Sequence, residues 1–208
     1  MSGGKLPVLW LCGPPGVGKS PVAWTAFAEL QRRGMTVGYV DVDQLGMCYP
    51  RGGDHQMAHD ARAPNVAGVL RNFRTSGAQV GIVSGVMDAE AEPSYRAKAR
   101  ASDIAFYRLR LDHQELEGRL AARGAADEST AVLKYADALD RSGFASLTVD
   151  TGGKTVDQVL DLVLFHALGS LDFCKRLEPT TIGSMCRAPG SVLWLCGPMA
   201  VGKSWWRG

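Results

Sequence analysis

The chain has 208 residues, 46% of them apolar and 21% charged, which is material for one buried core with at most an appendage. Its 23 basic and 21 acidic residues leave a net charge of +2, too balanced for a protein that works by gripping nucleic acid or an acidic membrane. The five cysteines contain no C-x-x-C pair, which argues against a disulfide framework or a zinc site and for reduced thiols.

In chain order, residues 8–12 (VLWLC) form a continuous apolar run, the pattern of a strand covered on both faces. The run is too short to cross a bilayer, and the glycines and prolines directly behind it do not suit a secretion signal, so a cytoplasmic protein is expected. A glycine-rich loop follows, then a helix to about Arg33 with Val22, Ala23, Ala26, Phe27 and Leu30 on one face. Arg32 and Arg33 suit the negative end of the helix dipole, and Gly34 is the stop. A second strand spans residues 36–41. Residues 44–64 read as irregular, with Gly52, Gly53 and Pro64. The spacing of Val66, Leu70 and Phe73 predicts a helix over 65–76, and residues 79–84 a third strand. A helix is expected over 92–100 and a fourth strand over 104–111. Asp112, with Glu115 three residues on, opens a helix to Arg123. A small polar stretch, 124–128, leads to another helix ending near Arg141. Residues 147–149 are strand five, and Thr155 caps an amphipathic helix carrying Val156, Val159, Leu160, Val163, Leu164 and Ala167. Alternating strands and helices specify an α/β fold with a doubly wound, mostly parallel five-stranded sheet, complete within residues 1–169.

The loop after the first strand reads GPPGVGKS, Gly13 to Ser20, and matches G-x-x-x-x-G-K-S. Its glycines let backbone N–H groups curl around phosphate oxygens, and the next helix aims its positive end at the same place. The cofactor expected is ATP with Mg²⁺. Gly13, Gly16, Val17, Gly18, Lys19 and Ser20 are the binding candidates, with Lys19 a solvent-facing ligand of the β- and γ-phosphates and Ser20 a ligand of the metal. Pro21, directly after Ser20, is tolerated in a first helical turn.

Asp41 and Asp43 stand at the end of the second strand, where the edge of a parallel sheet faces the ligand crevice. Asp41 is the candidate metal ligand beside Ser20. Asp43 is the candidate group to orient or deprotonate a substrate hydroxyl. Both would also serve as plain turn residues. Arg119 and Arg123, four apart on one helical face, are candidates to stack on a base and clamp a transferring phosphate, or form a solvated helix end.

The order of P-loop, helix, strand ending in D-x-D and then R-L-x-x-R resembles the small P-loop kinases: shikimate kinase, gluconate kinase and chloramphenicol phosphotransferase. Residues 41–46 (DVDQLG) are also similar to the tunicamycin-resistance ATP-binding protein. The resemblance covers residues 5–169 and implies a P-loop three-layer sandwich. It implies a lid over 124–130 and a loop beside the adenine at 148–153, with Thr151 as a nucleotide contact. The activity it implies is transfer of the γ-phosphate of ATP to a hydroxyl of a small metabolite or antibiotic, with Lys19, Asp43 and Arg123 in the catalytic roles. The alternatives are a non-catalytic ATP-binding regulatory or resistance protein, and an inactive truncated duplicate. Strand three ends in Ser84-Gly85, without the acid a motor ATPase uses, and there is no N-K-x-D guanine motif.

Residues 191–204 (SVLWLCGPMAVGKS) repeat residues 7–20 (PVLWLCGPPGVGKS) at eleven of fourteen positions. They read as the truncated start of a second copy, reached through a linker at 170–190. With only four residues after Ser204, no helix backs this loop, so it is not expected to bind nucleotide. Its apolar strand is a candidate for self-association. His55 and His59, four apart, would share a metal on a helix or else line a polar substrate loop. Arg51, Arg62 and Arg71 are either acceptor contacts or solvated surface. Trp205 and Trp206 are unusual for a solvated tail.

Overall fold

A computed structural model of the chain describes residues 4–45 and 55–169. Residues 1–3, 46–54 and 170–208 lie outside the described residues, and with them Arg51, the expected linker, the second phosphate-loop copy and Trp205 and Trp206.

The elements run β1 (Leu6–Cys12), α1 (Lys19–Arg32), β2 (Val37–Asp41), α2 (His55–Thr75), β3 (Val80–Ser84), α3 (Glu92–Lys98), β4 (Ser102–Arg110), α4 (His113–Ala122), α5 (Ser129–Asp140), β5 (Leu147–Asp150) and α6 (Val156–Gly169). Short 3₁₀ turns at Ala89–Ala91 and Ala126–Glu128 precede α3 and α5. The five strands form one sheet in the order β2-β3-β1-β4-β5, and every pairing is parallel.

β1 lies at the centre, and its side chains alternate between two cores, as strand geometry requires. Leu9 and Leu11 join the core beneath α1 and α6, while Val8, Trp10 and Cys12 join the one beneath α2 and α3. Helices therefore cover both faces, giving the three-layer sandwich. Trp10, fully buried, packs edge-on to Tyr95 of α3 with ring centroids 4.9 Å apart. Gly38 of β2 lies so close under α2 that a Cβ there would come within 2.3 Å of the Phe73 ring.

Two helix starts follow the expected capping chemistry. The Asp112 side chain accepts from Glu115 N at the head of α4. Thr155 and Gln158 exchange bonds at the head of α6, Thr155 Oγ1 accepting from Gln158 N and Gln158 Oε1 from Thr155 N.

The helix expected over 65–76 is a correction. It begins ten residues earlier, at His55, inside the stretch read as irregular, and carries Pro64 within it. Pro64 is exposed, so the bond it removes lies on the solvent side. His59, Ala63, Val66 and Leu70 are all at most 4% exposed and recur at helical spacing. A buried histidine in place of an aliphatic residue hid that stripe from a hydrophobic reading. No helix among the described residues is long and apolar enough to cross a membrane.

Candidate active site

The site is assembled at the carboxyl ends of β1, β2 and β3, where a parallel sheet opens its crevice. Gly13 leaves β1 with φ +142°, and a Cβ there would meet the Leu109 carbonyl oxygen at 2.4 Å. Gly18, left-handed at φ +103°, is the N-cap of α1. The first bond of the helix runs from Val22 N to Gly18 O, so the amides of the preceding turn have no helical partner and face the loop.

Lys19 is buried, 7% exposed, which corrects the expectation of a solvent-facing side chain. The loop wraps its stem, and Nζ donates to Pro14 O at 3.1 Å. Burial lowers its pKa, and Arg123 adds to that, while Asp43, Asp41 and Cys12 oppose it. The Cys12 thiol beneath the loop is pushed up to about 12 by burial, so it stays neutral.

Asp41 Oδ2 accepts from Ser20 Oγ at 3.3 Å and from Ser84 Oγ at 3.1 Å, and Asp41 Oδ1 accepts from Asp43 N at 3.0 Å. Asp41 and Ser84 are register partners across β2 and β3. The hydroxyl at the end of β3 thus holds the neighbouring strand's carboxylate toward Ser20. Tyr39 Oη lies 3.0 Å from Ser84 Oγ and extends the chain. Ser20 and Asp41 make a hard, all-oxygen pair, the donor set Mg²⁺ takes when substrate phosphates and water complete its shell. Asp43 Oδ1 accepts from Val86 N at 2.9 Å. Gly85, between β3 and Val86, has φ +144°, and a Cβ there would lie 2.4 Å from Val42 and 3.0 Å from Asp43 Oδ1. Only glycine lets the two loops approach this closely.

On the other side of the P-loop is a cleft of about 350 Å³. Its lining includes Gly16, Val17 and Gly18, Arg119 and Arg123 of α4, and Thr151 and Lys154 from the β5–α6 loop. The expected pair and the expected threonine therefore meet at one cleft. Arg119 is tied to Glu115 at 2.7 Å, while Arg123 is the exposed C-cap of α4. Thr151 is buried, and its Oγ1 donates toward Arg110 O at 3.1 Å, with Val17 O at 3.4 Å. The hydroxyl joins β4 to the P-loop through its proton and keeps its lone pairs at the cleft wall. Lys154 was not anticipated; its place three residues after Thr151 was the available signal. The segment expected as a lid is exposed apart from the half-buried Ala125 and Ser129, with Gly124 at φ +72° and the 3₁₀ turn leading into α5.

The histidine reading changes. His59 Nδ1 lies 2.9 Å from Tyr95 Oη and Nε2 lies 2.8 Å from Asp88 Oδ2, so both ring nitrogens are engaged within the protein. The His55 side chain lies outside what is described, and no group of three or more His, Cys, Asp or Glu among the described residues could hold a metal ion. Arg71 is exposed, whereas Arg62 is half-buried with its Nε buried and unpartnered.

Residues 8–142 match a protein family described as the AAA domain. No curated protein matches. Among solved structures, a sugar kinase from Janibacter sp. HTCC2649 superposes with a TM-score of 0.60 at 14% identity, covering 84% of this chain and 99% of that one. The tunicamycin resistance protein of Deinococcus radiodurans gives 0.57 at 19% identity, covering 77% and 95%. A gluconokinase from Sinorhizobium meliloti 1021 gives 0.52 at 16%, covering 78% and 90%. At these identities the likeness is one of fold, and the fold is that of the small P-loop kinases.

Proposed function

The chain belongs to the AAA domain family, and from that premise and the site's geometry we propose that it is a small-molecule kinase moving the γ-phosphate of ATP to a hydroxyl. The observation that carries this reading is the chain of contacts from Ser20 through Asp41 to Asp43. It sets one carboxylate beside the P-loop hydroxyl and a second one step away, fixed by Val86 N.

In this reading the unbonded backbone N–H groups of the loop, which Pro14 and Pro15 lack, and Lys19 hold and neutralise the phosphates. Ser20 and Asp41 would hold Mg²⁺, which when bound screens the β- and γ-oxygens. Asp43, with Oδ1 anchored on Val86, presents its other oxygen to the acceptor hydroxyl. The acceptor oxygen forms a bond to the γ-phosphorus as the bond to the β–γ bridging oxygen breaks. ADP departs, and the hydroxyl proton passes to Asp43. Arg119 and Arg123 lie against the base and phosphate from α4, and the 124–130 segment is the lid. The protein's contribution is positioning and charge stabilisation, the usual division of labour in phosphoryl transfer.

The sugar kinase and gluconokinase among the structural neighbours support this reading, and the tunicamycin resistance protein keeps an antibiotic among the candidate acceptors. The test is transfer of labelled γ-phosphate from ATP across a panel of hydroxylated metabolites and antibiotics. Acceptor-dependent product is expected. Slow ATP turnover indifferent to every acceptor would instead identify a nucleotide-binding regulatory or resistance protein, and no ATP binding by calorimetry an inactive duplicate.

A further inference from the structure

A second set of polar side chains adjoins Asp43 and has no part in the transfer just described. Asp88 occupies the N-cap position of the 3₁₀ turn Ala89–Ala91, in extended backbone at φ −81° and ψ 133°. A carboxylate there ordinarily caps backbone amides. This one makes no such bond. It is held instead by His59 Nε2 at 2.8 Å and keeps 36% of its side chain exposed.

His59 is buried, and its other nitrogen meets the buried Tyr95 Oη at 2.9 Å. An ionised carboxylate only accepts, so Nε2–H donates to Asp88, and Nδ1 shares the second bond with the Tyr95 hydroxyl. Burial keeps the Tyr95 phenol protonated, with the charges of Arg62, Asp88 and Asp43 all acting on it.

The segment that carries Asp88 is pinned at two further points. Val86 N donates to Asp43 Oδ1 at 2.9 Å. Tyr135 Oη, from α5, donates to Met87 O at 2.7 Å and accepts from Met87 N at 3.1 Å. Asp43 is thus tied to Val86, and Met87, the residue before Asp88, is held by Tyr135. Arg62, three residues after His59 on α2, adds a buried Nε with no hydrogen-bond partner. Such a group calls for a partner. A relay of two buried side chains spent on orienting one half-exposed carboxylate is a costly arrangement for a surface turn.

We propose that Asp88, oriented by His59 and Tyr95, is a second acceptor-binding carboxylate. The acceptor is then a polyhydroxyl molecule, gripped by Asp43 at the hydroxyl that reacts and by Asp88 at another, with Arg62 as donor to one of its oxygens. His59 and Tyr95 are positioning residues. This inference rests on the kinase reading above.

The test uses the full chain, labelled ATP, and two probe sets. One set is polyhydroxyl: D-glucose, D-gluconate, myo-inositol and shikimate. The other has one hydroxyl each: ethanol, glycolate and 1-propanol. Phosphate is expected on at least one polyol and on none of the single alcohols. For that polyol, Asp88→Asn is expected to raise KM by at least about tenfold, the worth of one charge-assisted hydrogen bond, with ATP affinity unchanged and a smaller fall in kcat. A deoxy analogue lacking the second hydroxyl should show the raised KM on the wild-type chain and no further rise on the variant. His59→Ala should reproduce the Asp88→Asn effect, and His59→Gln, which can still donate to Asp88, should recover most of it. An unchanged KM in Asp88→Asn, with phosphate still transferred, overturns this inference and leaves the kinase reading standing. So does transfer to single alcohols alone. ATP binding with no transfer to either set and no polyol-induced rise in Tm overturns both, and loss of ATP binding itself overturns the kinase reading first.

Discussion

Under the proposed kinase reading, the nucleotide side and the acceptor side of this site are built by different means. On the nucleotide side, eight consecutive residues would act largely through the backbone N–H groups of the non-proline members, and one helix end and one loop complete the cleft. On the acceptor side, Asp43, His59, Asp88, Tyr95 and Tyr135 come from separate elements and act through side chains joined by hydrogen bonds. Backbone donors survive most substitutions around them. A side-chain network loses its geometry with any one member. The proposed acceptor side is accordingly expected to be the more brittle half.

The largest effect expected from that contrast falls on Asp43. Asp43→Asn keeps the shape and the bond from Val86 N but not the charge or the proton acceptor. Transfer should fall by about 10²–10⁴-fold, the usual worth of a positioned base, while ATP affinity stays within about twofold. Equal and mild losses in Asp41→Asn and Asp43→Asn would mark both as turn residues and remove the contrast.

Lys19 tests the other half. Because it is buried, Lys19→Met is a better probe than alanine, since it keeps the apolar stem in place. Two charge-assisted contacts to phosphate are worth about 3 kcal/mol together, so ATP affinity should fall by about 100-fold. Stability should hold or rise, because burial already disfavours the ammonium. Calorimetry and thermal melts on one preparation separate the two quantities. Wild-type ATP affinity in this variant would refute the phosphate-loop assignment.

The same contrast governs how much could be read in advance. The P-loop is contiguous, its glycines and lysine have fixed spacing, and its strand and helix flank it, so loop, sheet and order of elements were all visible in the residues. Asp41 and Asp43 were visible because they end a strand. Ser84 was read only as a missing acid. That it holds Asp41 follows from β2 lying beside β3, a sheet order no local pattern encodes. His59 was read as a metal or loop residue because a buried polar side chain breaks the apolar stripe of its helix, and Pro64 made the break look like an end. Asp88 carries no signal in the sequence, since a carboxylate before a short helical turn usually caps it. From the sequence Lys19 reads as exposed, because charge normally stays in water, whereas the loop fold buries the stem and Nζ donates to Pro14 O.

Arg123 belongs to the nucleotide half by position and is proposed to reach the reacting phosphate as well. It lines the nucleotide cleft and its charge reaches Lys19. Arg123→Ala should weaken ATP binding by about fivefold to tenfold, in the lower range of one charge-assisted hydrogen bond because the site is exposed. It should lower kcat more than that if it closes over the reacting phosphate. A change confined to ATP KM would restrict it to the nucleotide side.

The smallest effect concerns Pro21, and it bears on how fully the backbone cradle is used. Lys19, Ser20 and Pro21 occupy the first three positions of α1, and the first helical bond starts only at Val22 N. The fold therefore loses nothing by placing proline there, because an N–H at that position would have no carbonyl to meet. The phosphate cradle does lose something. The amides at the head of a helix converge on one anion, and proline deletes one of them. Pro21→Ala restores that donor, and alanine is a good helix former. A single net hydrogen bond is worth about 0.5–1.5 kcal/mol, so ATP should bind about twofold to tenfold more tightly, with AMP gaining less if the donor faces the outer phosphates. The fold should be as stable as before or slightly less so, since alanine restores freedom to the unfolded chain. Calorimetric titration with ATP, ADP and AMP reads both the size of the gain and the phosphate that receives it. An unchanged affinity for all three would mean that the third amide of α1 points away from the phosphates, and that the cradle ends at Ser20.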